Sequence, residues 1–214
     1  MVATERAGLQ VHAHAIGDAA VRQLLDAYAR FEAQGARPGH PPLAAHIELI
    51  DPADIPRFAA LGVAADIQAL WAYPDRFIRD LTVPVVGPER AARLYPFGDL
   101  DRAGTHIVAG SDWSVTTMDP WPAIEVALTR RDPDTPGDPL APDQALSLDR
   151  MIAAYTADAG AALPTDLRLG RLEVGAPADF VVLDRDPWAL PSDQLSDVTV
   201  RETWVAGRRV YGSE

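Results

Sequence analysis

Four short apolar segments in the first half of the chain are separated by stretches whose apolar residues recur at helical spacing. The apolar segments cover residues 9–14, 43–47, 63–68 and 106–110. Short apolar runs that are bounded by turn residues are typical of buried β-strands. Strands that alternate with helices favour a parallel sheet, because parallel neighbours need a crossover connection. The pattern therefore predicts an α/β fold.

Turn and capping residues indicate where the helices begin and end. Asp18 has the position of an N-cap and Gly35 that of a C-terminal stop for the first helix. Asp51 followed by Pro52 predicts the start of the second helix, because proline is favoured at the first helical position. The segment 132–142, rich in Pro, Asp and Gly, is predicted to be a surface loop. Further helices are predicted over residues 89–100, 120–131 and 148–163.

The last fifty residues have a different pattern. Residues 178–183 and 198–210 are β-branched or alternate between apolar and polar positions around turns, which predicts strands of a small β appendage. We expect the boundary near Pro164, so that residues 1–164 form the α/β domain and residues 165–214 the appendage. A chain of 214 residues is long enough for one large domain with such an addition.

Composition excludes several classes of chemistry. The chain has no cysteine, and all 19 basic residues are arginine, so thiolate zinc sites, cysteine nucleophiles and Schiff-base lysines are excluded. The net charge of −12 argues against nucleic acid and anionic membrane surfaces as partners. No apolar stretch reaches the roughly 20 residues of a membrane span, and the first residues lack a secretory h-region. We expect a cytoplasmic protein.

Three of the predicted strands end in a residue that can bind a metal or transfer a proton. These residues are His14, His46 and Asp112. Each also has a purely structural interpretation, since a single histidine can be a packed core residue and an aspartate before a helix can be a cap. Because the carboxyl ends of parallel strands meet at one edge, the three side chains can converge on one ion.

Several motifs occur in order along nearly the whole chain. Residues 11–18 read Val-His-Ala-His-Ala-Ile-Gly-Asp, and residues 110–114 read Gly-Ser-Asp-Trp-Ser. These motifs resemble those of family 3 of the amidohydrolase superfamily, the branch with N-substituted formamide deformylase-like enzymes. The segments 46–58 and 61–68 are similar to the strands and helices that follow in the family. Residues 170–179 resemble its entry into a small β domain.

The resemblance implies a fold, a cofactor and a reaction. The chain would be the carboxyl-terminal half of a metal-dependent (β/α)8 TIM barrel, with strands of a small β-sandwich domain. His14 and His46 would be the metal ligands of barrel strands five and six. Asp112, on strand eight, would be a ligand or a close neighbour that also carries the proton. The cofactor would be a divalent metal, zinc first, and the reaction hydrolysis of carbon–nitrogen bonds in a small amide.

The chain also departs from the family pattern. Ala45 precedes His46 where relatives tend to carry glutamate, which alters the support of that histidine. The family's strand-one His-x-His pair and its strand-four carboxylate do not precede His14. His12 and His14 could themselves be that pair, but a single helix separates them from His46, whereas several strand–helix units are expected. His12 is then a packing or supporting neighbour.

Alternatives therefore stay open at this point. The site could be incomplete in this chain, which would be a fragment, a split subunit or an inactive remnant that needs an amino-terminal half, and a homo-oligomer is also possible. A serine hydrolase is disfavoured, because residues 110–114 lack the final glycine of a nucleophile elbow. Trp113 and Gln68 are candidate substrate contacts, together with the aromatic pair Trp71 and Tyr73, although loop packing would explain them equally well. His40 and His106 are expected to be bystanders.

Overall fold

A computed structural model of the chain describes residues 3–4, 7–34, 39–135, 137–165 and 167–212. Its main sheet has four parallel strands that are neighbours in chain order. The α/β fold with a parallel sheet is therefore confirmed. Each strand is three or four residues long, shorter than the apolar segment that predicts it. The strands are β1 (His12–Ala15), β2 (Leu43–His46), β3 (Ala64–Ile67) and β4 (Ile107–Ala109).

Eight α-helices of the described residues surround this sheet and the loops that follow its strands. They are α1 (Asp18–Ala33), α2 (Ile55–Leu61), α3 (Val83–Val86), α4 (Pro88–Ala91), α5 (Phe97–Arg102), α6 (Pro120–Thr129), α7 (Leu148–Tyr155) and α8 (Ala157–Ala162). A π-helical turn, Ile78–Thr82, leads directly into α3. Five 3₁₀ turns complete the connections: Pro52–Asp54, Ala69–Trp71, Pro142–Gln144, Pro187–Ala189 and Ser192–Asp197. None of the described helices is long and apolar enough to cross a membrane.

The core lies between the parallel sheet and the helices. Helix α1 turns an apolar stripe towards it, as expected from residues that recur every three or four positions. The stripe consists of Val21, Leu24, Leu25, Tyr28 and Phe31. Asp51 caps the turn before α2, because its carboxylate accepts the Ala53 N–H at 2.9 Å. Helix α2 ends at Gly62 with φ of 63°, a left-handed conformation that glycine adopts without steric cost.

The predicted N-cap at Asp18 is wrong by one position. Gly17 is the N-cap, and Asp18 is the first residue of α1. The Asp18 carboxylate accepts the Ala19 N–H at 2.9 Å and pairs with Arg90 at 2.6 Å. Asp18 therefore links the start of α1 to α4 and is not the N-cap of the helix. The stop predicted at Gly35 lies outside the described residues.

The helix predicted over residues 89–100 is interrupted. Helix α4 ends at Ala91, and α5 begins only at Phe97. Between them Tyr95 has φ of 52°, and Pro96 has no N–H to donate to a preceding turn. The Tyr95 N–H instead donates to the Glu48 carbonyl at 2.7 Å. This contact attaches the break to the segment that follows β2.

The helix predicted over residues 148–163 is two helices. Helices α7 and α8 are separated by Thr156, whose φ and ψ of −123° and −92° are not helical. The Thr156 hydroxyl donates to the Ile152 carbonyl at 2.6 Å, in the hydrogen-bonding pattern that often bends helices. The bend also accommodates Gly170, where a Cβ would lie 2.1 Å from the Thr156 carbonyl oxygen.

The predicted β character of the tail is confirmed by an antiparallel sheet of three strands. They are β5 (Phe180–Leu183), β6 (Val200–Val205) and β7 (Arg208–Tyr211). The segment between β5 and β6 packs against the main core, in which its residues Leu195 and Val198 are buried. There the Glu125 carboxylate of α6 accepts the Ser196 N–H at 2.8 Å and its hydroxyl at 2.6 Å. The domain boundary near Pro164 stays a prediction.

Candidate metal centre

The carboxyl ends of the four parallel strands open into a cavity of about 300 Å³. It brings together His14, His46 and Asp112, the three residues that the sequence suggested as metal ligands, and Gln68, a predicted substrate contact. The other lining residues are His12, Ala45, Asp66 and Gly110. The strand register produces this arrangement, because β1, β2 and β3 pair His14 with Ala45 and Ala45 with Asp66.

The two histidine rings are in direct contact. The His14 and His46 ring centroids are 4.3 Å apart, with the planes at 68° in an edge-to-face arrangement. On its other side His46 stacks on Trp71, with centroids 5.2 Å apart and planes at 16°. His14 is exposed, whereas His46 is only 6% exposed. Stacking on Trp71 thus fixes the buried His46 ring, and the exposed His14 ring faces the cavity.

A short hydrogen-bond chain determines which nitrogen of His46 is free. Gln68 Nε2 donates to the Asp66 carboxylate at 3.2 Å, which turns Gln68 Oε1 towards His46 Nδ1 at 2.8 Å. Because an amide oxygen only accepts, Nδ1 carries the proton and Nε2 keeps its lone pair. Both polar atoms of the Gln68 amide are engaged. This residue therefore orients His46.

The surroundings of His46 favour its neutral form. Burial lowers the pKa of His46, the hydrogen bond with Gln68 opposes that effect, and the neighbouring His14 lowers the pKa further. A neutral imidazole is the form that coordinates a metal. Burial and hydrogen bonding thus prepare His46 as a nitrogen ligand.

His12 and Asp66 form a pair that sequence reasoning did not identify as part of the site. His12 Nε2 lies 2.9 Å from Asp66 Oδ2, and this hydrogen bond raises the pKa of His12 against the opposing effect of burial. His12 is therefore an Asp66 partner, in agreement with its expected role as a supporting neighbour. Strand periodicity was the available signal for Asp66, since residues two apart lie on the same face and Gln68 was already a candidate.

Gly110 allows β4 to approach this network closely. A Cβ at this position would lie 3.2 Å from Asp66 Oδ1 and 3.5 Å from Gln68 Nε2. A Cβ there would press on the Asp66 carboxylate, which holds Gln68, and would touch the Gln68 amide. The glycine of the Gly-Ser-Asp-Trp motif thus has a steric role in the cavity wall.

Unusual backbone conformations concentrate at the ends of β2 and β4. His46, Ile47 and Asp112 have φ of 79°, 52° and 51°, in the left-handed region that non-glycine residues rarely adopt. Such conformations cost about 1–3 kcal/mol each and persist where the surrounding structure enforces them, often at functional sites. Aspartate tolerates this region better than β-branched isoleucine. Two of the three strained residues, His46 and Asp112, are themselves candidate ligands.

The side chains that line the cavity suit a metal in kind, but they are not arranged as a formed site. A protein-bound zinc takes nitrogen, sulfur or carboxylate oxygen from three or four side chains. Two adjacent imidazoles and an exposed carboxylate line the cavity, which matches the expected ligand types. Within the described ranges, however, no group of three His, Asp or Glu side chains is arranged to hold an ion.

The remaining candidate residues lie elsewhere. Trp113 is 66% exposed and lies outside the cavity lining, so its role as a substrate contact stays a prediction. The His106 ring contacts the Asp158 carbonyl at 2.9 Å, a structural contact with α8. His40 also lies outside the cavity lining.

The chain belongs to the amidohydrolase family, whose model matches residues 1–211. It is 31% identical over 213 residues to the protein LONG AFTER FAR-RED 3 of Arabidopsis thaliana, a match that covers 98% of this chain and 35% of that protein. It is 30% identical over 115 residues to the N-substituted formamide deformylase of Arthrobacter pascens, covering 54% and 21% respectively. The family resemblance of the motifs is thereby confirmed.

A solved structure with a similar fold is that of an uncharacterized metal-dependent hydrolase from Pyrococcus horikoshii OT3. The TM-score is 0.67 with 31% identity, over 86% of this chain and 36% of that one. The chain therefore spans about a third of the length of LONG AFTER FAR-RED 3 and of this hydrolase.

Proposed function

We propose that this chain forms the carboxyl-terminal half of a (β/α)8 barrel in a metal-dependent hydrolase that cleaves carbon–nitrogen bonds of small amides. The edge-to-face contact between His14 and His46 carries the proposal, because it presents two imidazoles to one cavity at the strand ends. Family membership supports the hydrolase class. The antiparallel tail would belong to a small β-sandwich domain.

His14 and His46 would hold a divalent metal, with zinc the first candidate. Zinc accepts imidazole nitrogen at a tetrahedral site, and the hydrogen bond to Gln68 leaves His46 Nε2 available. When bound, such an ion would lower the pKa of a water molecule to about 7 and so supply a nucleophile. Residues 1–214 contain no cysteine, so this chain supplies no thiolate ligand.

Asp112 would be the catalytic proton carrier. Its carboxylate is exposed and lines the same cavity as both histidines. It can accept a proton from the attacking water and deliver it to the leaving amine, which is the general acid–base step that amide hydrolysis needs. Trp113, next in sequence, would contact the substrate from the exposed loop.

We further propose that the remaining ligands come from a polypeptide segment other than residues 1–214. The support is the arrangement of the ligands, because in the described part of the chain the two imidazoles and the carboxylate do not come together as a complete site. An amino-terminal half-barrel would also cover the free edges of β1 and β4, which an open parallel sheet leaves unpaired. The second candidate is a catalytically inactive half-barrel that only packs against such a partner.

The metal assignment is tested by zinc titration calorimetry of the purified chain and four histidine variants. We expect His14→Ala and His46→Ala each to weaken zinc binding by at least about tenfold, because each removes one ligand nitrogen. His40→Ala and His106→Ala should bind zinc as the parent chain does. Equal losses in all four variants would contradict the assignment.

Catalysis is tested separately from binding. Release of amine from a panel of formamides and acyl amides should be measured for the chain alone and after addition of a family amino-terminal half-barrel. Activity that appears only with the added half and disappears in Asp112→Asn supports a split or truncated hydrolase. Zinc binding without hydrolysis in either case favours the inactive half-barrel.

A further inference from the structure

A second, larger cavity adjoins the candidate metal centre. Its volume is about 610 Å³, within the range of roughly 300–1,000 Å³ that small-molecule sites occupy. Trp71 connects the two cavities, because its ring stacks on His46 and also lines the larger space. Glu48, two residues after His46, lines it as well. Trp71 thus separates a molecule in this cavity from His46 by the thickness of one ring.

Aromatic side chains form much of the larger cavity's wall. Trp71, Tyr73, Phe77 and Tyr95 all line it. The face of each ring carries negative electrostatic potential, which attracts ammonium and guanidinium groups within about 6 Å. Arg76 already uses Phe77 in this way, with its guanidinium carbon 4.8 Å from the ring centroid. The wall is thus suited to an apolar body that carries a positive charge.

The charged side chains of the wall are carboxylates. Glu48, Asp75 and Asp134 line the cavity, and none of the described lining residues is basic. Ion pairs found across the described chain do not include any of these three carboxylates. Thr82 donates to Glu48 at 3.3 Å and the Ile78 N–H to Asp75 at 2.7 Å, and both of these donors are neutral.

The negative potential also acts on Tyr73. Burial raises the pKa of Tyr73, and the carboxylates of Asp132, Asp75 and Asp134 raise it further. Aromatic faces and carboxylates that form no ion pair within the described residues therefore line the same space. An anionic ligand would meet repulsion there, whereas a cation would supply the missing counter-charge.

We propose that this cavity binds the cationic end of the substrate, a protonated or quaternary amine on an apolar or aromatic body, while the scissile amide reaches towards His14 and His46. The substrate class is then a small amide that carries a positive charge. This inference rests on the proposed hydrolase function for the identity of the ligand as a substrate. The cation preference of the cavity itself does not depend on catalysis.

The preference can be measured with three probes that share one aromatic body: phenethylamine, phenethyl alcohol and hydrocinnamate. They are a cation, a neutral molecule and an anion at neutral pH. In titration calorimetry of the metal-free chain, we expect phenethylamine to bind at least about tenfold more tightly than either of the others. Equal affinity for the three probes, or a preference for hydrocinnamate, would overturn the proposal.

Isosteric variants locate the binding site. Asp75→Asn and Asp134→Asn should each weaken phenethylamine binding several-fold and leave phenethyl alcohol binding unchanged. Asp138→Asn, an exposed position in the same loop as Asp134, is the matched control and should bind like the parent chain. If only Asp138→Asn lost the preference for phenethylamine, the binding site would lie elsewhere and the proposal for this cavity would be rejected. If an asparagine variant does not fold, the comparison of the three probes on the parent chain still tests whether a cation is preferred.

The two proposals fail in different ways. Cation preference with no zinc binding and no hydrolysis would leave a cation-binding cavity and reject the hydrolase. Zinc binding and hydrolysis of neutral amides, without any preference for phenethylamine, would keep the hydrolase and reject the cationic substrate.

Discussion

Gln68 Oε1 accepts a hydrogen bond from His46 Nδ1 at 2.8 Å, and this contact decides how the buried histidine is presented to the cavity. Asp66 holds the Gln68 amide in the orientation that makes the contact possible. The ring is also stacked on Trp71, so neither its rotation nor its tautomer is left free. Such outer contacts contribute to metal affinity although they do not touch the ion.

We therefore expect Gln68→Ala to weaken zinc binding by about 10–100-fold, the usual effect of losing a ligand's hydrogen-bond partner. The His46 ring would then adopt either tautomer and lose the lone pair that Nε2 presents. Zinc titration calorimetry measures the change. Gln194→Ala, at an exposed position outside the cavity lining, is the control and should leave zinc affinity as it is. Unchanged affinity in Gln68→Ala would mean that Gln68 does not orient a ligand.

Much of the parallel sheet could be predicted because each strand is a short apolar run followed by a helical pattern. The same reasoning located His14, His46 and Asp112 at strand ends, since parallel strands have their carboxyl ends on one side. The structure brings all three to one cavity. The sequence was sufficient here because the position of each residue along its own strand places it at the carboxyl end of the sheet. No specific contact between strands had to be predicted.

Contacts between distant strands could not be predicted in the same way. His12 on β1 reaches Asp66 on β3 across the intervening strand, which depends on the register of two strand pairs. A shift of one residue would turn Asp66 to the opposite face. Helical periodicity does not predict the breaks at Tyr95 and Thr156 for a related reason. The Tyr95 N–H bonds to the distant Glu48 carbonyl, and the Gly170 backbone packs closely against the Thr156 carbonyl.

A buried carboxylate provides a stability test away from the site. Asp54, 1% exposed, accepts Arg22 Nε at 2.6 Å and Arg57 Nη1 at 2.7 Å, which ties α1 to the start of α2. Asp54→Asn should lower the free energy of unfolding by about 2 kcal/mol, because it removes the charge that both arginines share. Urea denaturation gives this value. Asp26→Asn removes a more exposed partner of Arg57 and should cost less than about 1 kcal/mol. Equal costs would show that burial of Asp54 does not matter.

The small antiparallel sheet has a contact that depends on pH. Asp184 accepts hydrogen bonds from Arg185 and from the Thr199 N–H, which lower the pKa of Asp184 from 3.8 to about 2. Because the folded pKa lies below the unfolded one, the contact stabilises the protein above about pH 4. Its contribution is lost as the pH falls towards 2.

Carboxyl chemical shifts in an NMR titration report this pKa directly. Arg185→Ala should raise the pKa of Asp184 towards its ordinary value, because the arginine is the largest cause of the shift. Arg171→Ala removes an exposed arginine elsewhere in the tail and should leave the titration unchanged. A pKa of Asp184 that does not respond to Arg185→Ala would assign the shift to the Thr199 backbone alone.

Arg130 is fully buried and holds the loop after α6 to the break before α5. Its guanidinium donates to the Leu140 carbonyl at 2.9 Å and to the Leu94 carbonyl at 3.1 Å, and it lies 5.3 Å from the Phe97 ring centroid. Arg130→Ala leaves both carbonyls without this donor and opens a cavity, and both effects destabilise the fold. Part of this loss of stability is offset because a charged group is no longer buried. We expect the free energy of unfolding to fall by about 2 kcal/mol.

Urea denaturation measures that loss, and amide hydrogen exchange identifies its location. The Leu140 N–H donates to the Arg130 carbonyl at 2.8 Å, so its exchange should accelerate in Arg130→Ala if the loop detaches. Arg131→Ala, at the exposed neighbouring position, should change unfolding by less than about 0.5 kcal/mol. If Arg130→Ala were as stable as Arg131→Ala and Leu140 exchanged at the parent rate, the loop would not depend on the buried guanidinium. A loss of stability without faster Leu140 exchange would instead assign the effect to the Leu94 and Phe97 contacts.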